Sequence, residues 1–354
     1  MSAAIERFAE AVRSAASGGK PLRLRGGGTK DFYGQSLQGE ILDTRVYAGI
    51  VDYEPTELVV TARCGTPLPE IESALAEKGQ MLAFEPPRFG AGATLGGALA
   101  AGLSGPRRQA AGSLRDFVLG VKILDGRGEE LSFGGRVMKN VAGYDVSRAM
   151  AGALDTLGLI LEASFKTLPA PFAEATLRFE MPQDKAIETL NRWAARPLPI
   201  SASVYTGGEI ALRLSGASAA VGAACGKLGG ERIDGEQGER FWSGIRDQTD
   251  AFFRGEAPLW RLSVPSATPP MDLPGEQLVE WGGSLRWLRS QADALVMREA
   301  ALRAGGHATL FRGGDKSLGV FQPLAPVLRT IHRRLKAEFD PHAVFNRGRM
   351  YADF

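Results

Sequence analysis

Two glycine-rich stretches hold the residues best suited to chemistry. Gly90 to Pro106 is seventeen residues with six glycines and no charged side chain, and Gly26-Gly27-Gly28-Thr29-Lys30 follows a short alternating segment, Pro21 to Arg25. Glycine inside a helix or strand costs roughly 0.5–1 kcal/mol relative to alanine, so this density asks for a compensating reason such as positive φ or a large flat molecule against the backbone. Consecutive backbone N–H groups in both loops would suit an anion such as a pyrophosphate, with Thr94 as the N-cap of the turn it opens. A small-residue helix packed tightly on another backbone explains the second stretch equally well on these residues alone.

Neither loop matches a standard nucleotide motif. The Walker spacing is absent, and the partial echo at Gly90, Gly92 and Gly96 follows Glu85-Pro86-Pro87-Arg88, which is no buried strand. The three histidines, His307, His332 and His342, are isolated, with no adjacent pair and no His-x-x-x-His, so the sequence offers no metal site. Two cysteines exclude a self-contained four-cysteine iron–sulfur cluster and argue against a disulfide-built domain.

The elements that must position these loops are legible as periodicities. Ile5, Phe8, Ala9 and Val12 make an amphipathic first helix rather than a signal peptide. Leu58, Val60, Ala62 and Cys64 alternate as one face of a strand, which makes Cys64 a core residue. A helix from about Pro69 buries Ile71, Ala74 and Leu75 and stops at Gly79. Strands within 116–133 flank Asp125-Gly126-Arg127-Gly128, a hairpin signal, and Leu159 to Phe165 alternate again before Pro169. From Ala175 a β-α-β-β-α order (176–180, 184–195, 201–205, 209–214, 219–227) is that of a ferredoxin-like module. Leu259 to Val264 and Leu285 to Leu288 are further strands, and Leu324, Leu328, Ile331 and Leu335 form the apolar stripe of a terminal helix. No internal repeat is apparent.

At 354 residues the chain is long enough for two cores, and its hydrophobic content of 44% and charged content of 23% are those of a soluble globular protein. A formal charge of +2 without a basic stripe argues against nucleic acid, and no run is long and apolar enough for a transmembrane helix. These features suggest a cytoplasmic protein. The expected fold class is α+β, with a first domain over 1–170, an α+β cap domain over 171–322 and a returning C-terminal segment over 323–354.

Taken in order, Arg25 to Thr29, Ala93 to Gly97, Gly112 to Asp116, Lys139 to Asp145 leading to Thr156 to Ile160, and Asp340-Pro341 with Phe345 to Arg349 resemble the FAD-binding domain of the vanillyl-alcohol oxidase / p-cresol methylhydroxylase (PCMH) superfamily. Leu259 to Pro265 and Glu280 to Leu288 are similar to the FAD-binding subunits of bacterial glycolate oxidases. The resemblance implies FAD, with Gly26, Gly27, Gly28, Thr29 and Lys30 as the first pyrophosphate loop and Thr94, Leu95, Gly96 and Gly97 as the second. It puts Gly112, Ser113 and Asp116 along the cofactor, Ile160 near its adenine end, and Arg347 or Arg349 near the flavin or, alternatively, paired with Asp340 or Asp353. It also implies a heteromeric complex oxidising glycolate, a 2-hydroxy acid, to glyoxylate beside a larger FAD-containing subunit and an iron–sulfur subunit, and peripheral to the inner membrane through them.

Two departures bear on mechanism. Relatives that bind FAD covalently use a histidine in the first loop, where this chain has Thr29, so noncovalent FAD is expected. The larger relatives that oxidise 2-hydroxy acids carry clustered histidines and an acid near the flavin, which hold a divalent metal, whereas the histidines of this sequence are isolated. No catalytic base stands out. A self-sufficient D-lactate-type dehydrogenase using His307 or Tyr144, and a noncatalytic subunit with structural FAD, are the alternatives.

Overall fold

The computed structural model describes residues 3–135, 145–233 and 235–354. Helix α1 (Ala3–Gly18) buries Ile5, Phe8, Ala9, Val12 and Ala15 along one face, and each large apolar side chain so removed from water contributes roughly 1.5–3 kcal/mol. Strand β1 (Leu22–Arg25) pairs in parallel with β2 (Glu40–Asp43), and the glycine loop leaves from the end of β1.

Strands β3 (Ile50–Glu54) and β4 (Val59–Arg63) enter a five-stranded antiparallel sheet. Leu58 lies outside β4 with φ of 57°, and Val59 to Ala62 are buried in succession, so the strand is covered on both faces rather than one. Helix α2 (Leu68–Ala76) buries Leu68, Ile71 and Leu75, with Ala74 only half covered, and leads to β5 (Gln80–Met81). Three short helices follow, α3 (Leu95–Ala101), α4 (Arg108–Ala111) and α5 (Leu114–Phe117). Next come β6 (Val118–Leu124) and β7 (Glu130–Gly134), which form the expected hairpin around Asp125 to Gly128. Helix α6 (Val146–Met150), β8 (Leu159–Lys166) and β9 (Leu168–Pro169) complete this region; the sheet order is β3-β4-β8-β6-β7, and β9 pairs with β5.

The remaining strands make one eight-stranded antiparallel sheet. They are β10 (Ala173–Glu180), β11 (Ile200–Thr206), β12 (Glu209–Gly216), β13 (Glu231–Ile233), β14 (Leu259–Ser263), β15 (Glu276–Glu280), β16 (Leu285–Arg289) and β17 (His307–Arg312). Helices α7 (Gln183–Ala194), α8 (Ser218–Leu228), α9 (Gly235–Asp247) and α10 (Ala294–Arg303) connect them. The spatial order β13-β10-β12-β11-β15-β16-β14-β17 places the fourth, first, third and second strands side by side in β10 to β13, and does so again in β14 to β17. The sequence hid a structural repeat, because only the first unit has a helix between its first two strands. The two units join at β11 and β15, through Val204–Glu280 and Tyr205–Val279.

One face of this sheet packs under α7 and α8 through Leu177, Leu190, Leu212 and Val221, and under α10 through Trp260, Leu288 and Met297. The other turns toward the first region: Ala202, Val204, Leu278, Leu285, Trp287 and Phe311 share a core with Tyr33, Ala101, Leu103 and Leu154.

Helix α11 (Pro326–Phe339) departs from expectation. Leu328, Ile331 and Leu335 are exposed, as is Val327, and its one buried residue is Lys336. The lysine is drawn inward because its ammonium donates to Asp340 (2.6 Å) and to the carbonyls of Thr156 (2.7 Å) and Phe345 (3.0 Å). Arg329 and Arg333, both exposed, pair with Asp353. Among the described residues no helix is long and apolar enough to cross a membrane.

Candidate functional site

The loop after β1 is fixed by Asp31, which pairs with Arg23 and with Arg25 (3.0 Å). That clamp holds Gly26 to Lys30 around a cavity of ≈ 610 Å³, counting its solvent-open mouth, which Thr94, Gly96, Gly97, Asp155, Ile160 and Arg349 also line. The N–H groups of Gly27, Gly28, Thr29 and Lys30 donate to no partner among the described residues. An unpaired N–H facing a cavity is a donor awaiting an acceptor.

The second loop is built differently. Leu95 N–H donates to Thr66 O (2.9 Å) and Gly96 N–H to Cys64 O (2.8 Å), while Thr94 caps α3 by accepting from Gly97 N–H (3.3 Å). The donors expected to be free here are therefore engaged by the protein. Glycines of both loops serve close packing where the two meet: a Cβ on Gly27 would overlap the carbonyl of Gly92, one on Gly26 would overlap Thr94 Oγ1, and one on Gly96 would sit 2.8 Å from Cys64 Cβ. Gly97 is the exception, since a Cβ there would meet only Thr94 Oγ1, at 3.3 Å. Leu95 is buried behind the cavity wall, and Cys64 is buried in the core, its thiol pushed up to about 12, chiefly by burial.

Charge in the cavity comes from side chains the loops enclose. Lys30 is buried, its ammonium lowered to about 8 by desolvation against the opposing pull of Asp247, and it lies 5.5 Å from the centroid of Phe89. Arg349, also buried, donates to Lys30 O (3.1 Å) and Tyr33 O (3.5 Å). Asp155 has a positive φ of 55° and a carboxyl pushed up to about 7 by desolvation, with Arg349 pulling the other way. The cavity is thus lined by Arg25, Lys30 and Arg349 against Asp31, which is paired with Arg25, and the weakly ionised Asp155, a balance that favours an anionic guest.

Other anticipated residues stand elsewhere. Arg347 donates to the carbonyls of Ala343 (2.9 Å) and His342 (3.4 Å) and does not line the cavity, so of the two arginines Arg349 is the one that reaches it. Neither pairs with Asp340 or Asp353, which are taken by Lys336 and by Arg329 and Arg333. Gly112, Ser113 and Asp116 are also outside the cavity; Asp116 accepts from Ser113 N (2.8 Å) and Oγ (2.7 Å) in a capping box at the start of α5. Lys139 to Tyr144 lie outside the described residues. His332 stacks on Phe354 at 6.0 Å. Among the described residues no group of three or more His, Cys, Asp or Glu could hold a metal ion.

A second polar cluster, unseen in the sequence, sits between the two regions. Phe32, Phe89, Phe311 and Trp287 form a chain of ring contacts at 4.8 to 6.1 Å. Trp287 Nε1 donates to buried Glu280 (2.7 Å), whose carboxyl burial pushes up to about 7 against the lowering effects of that hydrogen bond and of Arg261. Trp281 Nε1 donates to Gly105 O (3.1 Å), and the guanidiniums of Arg108 and Arg261 lie 4.4 and 5.4 Å from its ring centroid. Across the same interface Glu85 accepts from Arg107 N (2.8 Å) and pairs with Arg213 (2.8 Å). Arg261 was hidden in the sequence because alternation in β14 marks it only as opposite to Trp260 and Leu262, and the other face of this sheet is covered as well.

Residues 3–134 match the FAD binding domain family. Over 344 residues, 97% of this chain and 96% of the relative, the chain is 49% identical to glycolate oxidase subunit GlcE of Escherichia coli (strain K12). It is 30% identical to glycolate oxidase subunit GlcD of Bacillus subtilis (strain 168) over 159 residues, 44% of this chain and 34% of that one. Xylooligosaccharide oxidase from Myceliophthora thermophila C1 superimposes with a TM-score of 0.68 over 100% of this chain and 91% of its own, at 16% identity, which establishes a shared fold. The superfamily expected from the ordered motifs is therefore the right one, and FAD is its cofactor. With its fold, its FAD-binding region and nearly its whole length in common with that subunit, the chain belongs to the family of the glycolate oxidase subunit GlcE.

Proposed function

We propose that this chain is the FAD-holding subunit of a glycolate-oxidising complex, with the cofactor pyrophosphate seated on the loop Gly26 to Lys30. The observation that carries this reading is the row of four unengaged N–H groups, Gly27 to Lys30, facing a cavity that also receives Lys30 and Arg349. Phosphate oxygens need close backbone donors and a positive field, and this donor set fits both needs. Thr94, Gly96, Gly97 and Ile160 line the same cavity, which supports their assignment to the cofactor's surroundings. FAD, when bound, supplies a two-electron acceptor able to pass electrons onward one at a time. The protein's share is to bind and orient that cofactor and to keep solvent from it.

Thr29 in the position of the covalent histidine supports noncovalent attachment. Purified protein should be yellow and should release its flavin into the supernatant on acid precipitation; flavin retained on the denatured polypeptide refutes this. Partnership with a larger flavoprotein subunit and an iron–sulfur subunit is supported by the outward stripe of Val327, Leu328, Ile331 and Leu335 on α11, since large contiguous apolar surface on a soluble chain marks an interaction site. A cytoplasmic location, with any membrane contact made through partners, follows from the same reading.

A second reading, a self-sufficient 2-hydroxy-acid dehydrogenase, is favoured by one observation: partial desolvation and the charges of Arg261 and Arg108 hold the His307 imidazole below its ordinary value, which favours its neutral form. A neutral imidazole is a competent base. Flavin reduction by glycolate or D-lactate in the isolated, FAD-loaded chain supports that reading; reduction only in the reconstituted complex supports the first.

A further inference from the structure

We propose that Asp155 and Arg349 hold one sugar hydroxyl of the cofactor between them, and so fix how far along the glycine-loop cavity the cofactor sits. The proposal rests on the reading of this cavity as an FAD site; the hydroxyl itself is inferred from the two side chains.

Both residues border the cavity, and both are placed there by backbone that the fold holds firmly. Leu154 and Asp155 have φ of 53° and 55°, a conformation that residues other than glycine, asparagine and aspartate seldom adopt. The turn is pinned from two sides: Leu154 N–H donates to Ala100 O on α3 (2.8 Å), and Asn346 Nδ2 donates to Leu154 O (2.8 Å). Arg349 arrives on the same returning segment as Asn346, and its Nη2 is spent on Lys30 O and Tyr33 O.

Neither side chain is satisfied by the protein. The Asp155 carboxyl accepts no hydrogen bond from a described residue, and Arg349 Nε, wholly covered, has no partner. The two charges are near enough to act on each other, since Arg349 draws the Asp155 carboxyl downward against the effect of burial and Asp155 steadies the charge of the guanidinium. They nevertheless form no ion pair. Opposite charges that border one enclosed space without pairing leave a donor and an acceptor there, and buried polar groups are costly until something completes them.

Chemistry narrows the guest. Phosphate oxygens only accept, and a carboxylate repels them, so the phosphates belong with the open N–H groups of Gly27 to Lys30 and not with Asp155. A metal ion would need more ligands, and no group of three or more His, Cys, Asp or Glu among the described residues could hold one. A hydroxyl is donor and acceptor at once: its proton goes to Asp155 and its lone pair takes a guanidinium N–H. Carboxylates hold ribose hydroxyls in this way where dinucleotides bind other folds. FAD carries such groups on its ribose and on its ribityl chain, one on each side of the pyrophosphate. With phosphate on the loop and a hydroxyl on Asp155, the cofactor has a single register.

The test is fluorescence titration of the flavin-free full-length chain with FAD, and calorimetric titration with ADP, FMN and inorganic pyrophosphate. Asp155→Gly is the chief variant, because glycine adopts the φ of 55° freely and so protects folding; Asp155→Asn keeps an acceptor at the same place. Charge alone predicts that Asp155→Gly binds every phosphate-bearing ligand more tightly. The proposal requires the opposite of a hydroxyl-bearing ligand: FAD weakened roughly tenfold in Asp155→Gly and held within about threefold of wild type in Asp155→Asn, with pyrophosphate unchanged or tighter. The loss recurs with ADP if the ribose supplies the hydroxyl, and with FMN if the ribityl chain does. FAD bound as tightly by Asp155→Gly as by wild type overturns the proposal. So does a loss that neither ADP nor FMN reproduces, or one that pyrophosphate shares in full. A yellow chain whose Asp155→Gly variant holds flavin equally well refutes the anchor and sustains the FAD reading; a wild type that takes ADP but no flavin, and loses ADP in Asp155→Gly, does the reverse.

Discussion

The two glycine-rich loops look alike in sequence and are opposites in structure. In the first, four successive N–H groups are left open to the cavity; in the second, the N–H groups of Leu95, Gly96 and Gly97 are all engaged by the protein. Glycine permits close backbone approach in both loops, at Gly26 and Gly27 as at Gly96, and only the first loop also leaves its donors unengaged. Glycine density alone therefore does not distinguish a binding loop from a packing loop. The decisive property is where the N–H groups go.

The sharpest way to break this comparison is Gly27→Val. Its side chain would collide with the Gly92 backbone, where no flexible atom can yield, so destabilisation of about 3 kcal/mol or more and loss of soluble yellow protein are expected in denaturant unfolding. Gly97→Val should separate binding from folding. A Cβ there meets only Thr94 Oγ1, at 3.3 Å, a contact relieved by a shift of a few tenths of an ångström, so the chain should still fold, with a melting temperature lowered by a few degrees at most, while flavin occupancy falls at least tenfold. Full occupancy in this variant would remove the second loop from the site. Gly28 is less informative, because its φ of +72° strains any side chain whether or not a cofactor is present.

Smaller effects sharpen the contrast. Arg349→Ala removes donors to Lys30 O and Tyr33 O and should destabilise the chain by about 2 kcal/mol and weaken FAD; Arg347→Ala should change stability by less than ~0.5 kcal/mol. Equal effects would restore Arg347 to the site. Lys30→Met should weaken FAD roughly tenfold at pH 7, about 1.4 kcal/mol. The folded-state value of Lys30 is lowered from 10.5 to about 8, so between those values the unfolded chain holds a proton that the folded chain has released. Stability of the FAD-free protein should therefore rise with pH across that window through Lys30, and this increment should vanish in Lys30→Met. FAD affinity should move oppositely, falling as pH passes 8 in the wild type and staying flat in the variant. Fluorescence titrations at pH 7 and 9 would check this.

Periodicity made much of the fold legible. The hairpin around Asp125-Gly126 and the helix carrying Ile5, Phe8 and Val12 follow from local rules that tertiary structure did not override. The terminal helix misled because a 3.6-residue stripe says that a face will be covered without saying by what, and here the body of the chain takes Lys336 instead. The first loop was legible through its glycines. Arg349 in place of Arg347 was not, since two arginines two residues apart differ only in which way the turn at Asn346 (φ 40°) and Gly348 (φ 73°) aims them. The Arg108–Arg261 cluster was invisible for a different reason: its members are more than 150 positions apart in sequence and meet only after the sheet folds against the glycine region.

The return of the segment around Asp340 to Arg349 has a consequence in time. Asn346 accepts the Leu24 N–H through its side chain (3.0 Å), Phe345 bridges to Leu22, and Arg349 closes the cavity over Lys30. A ribosome that has already delivered the glycine loop must add more than 300 further residues before that wall exists. Domains ordinarily fold as they emerge, but here the first-made half of the site waits for a late-made one. Cofactor capture is thereby scheduled after synthesis of this segment, and a chain interrupted before it lacks a finished site.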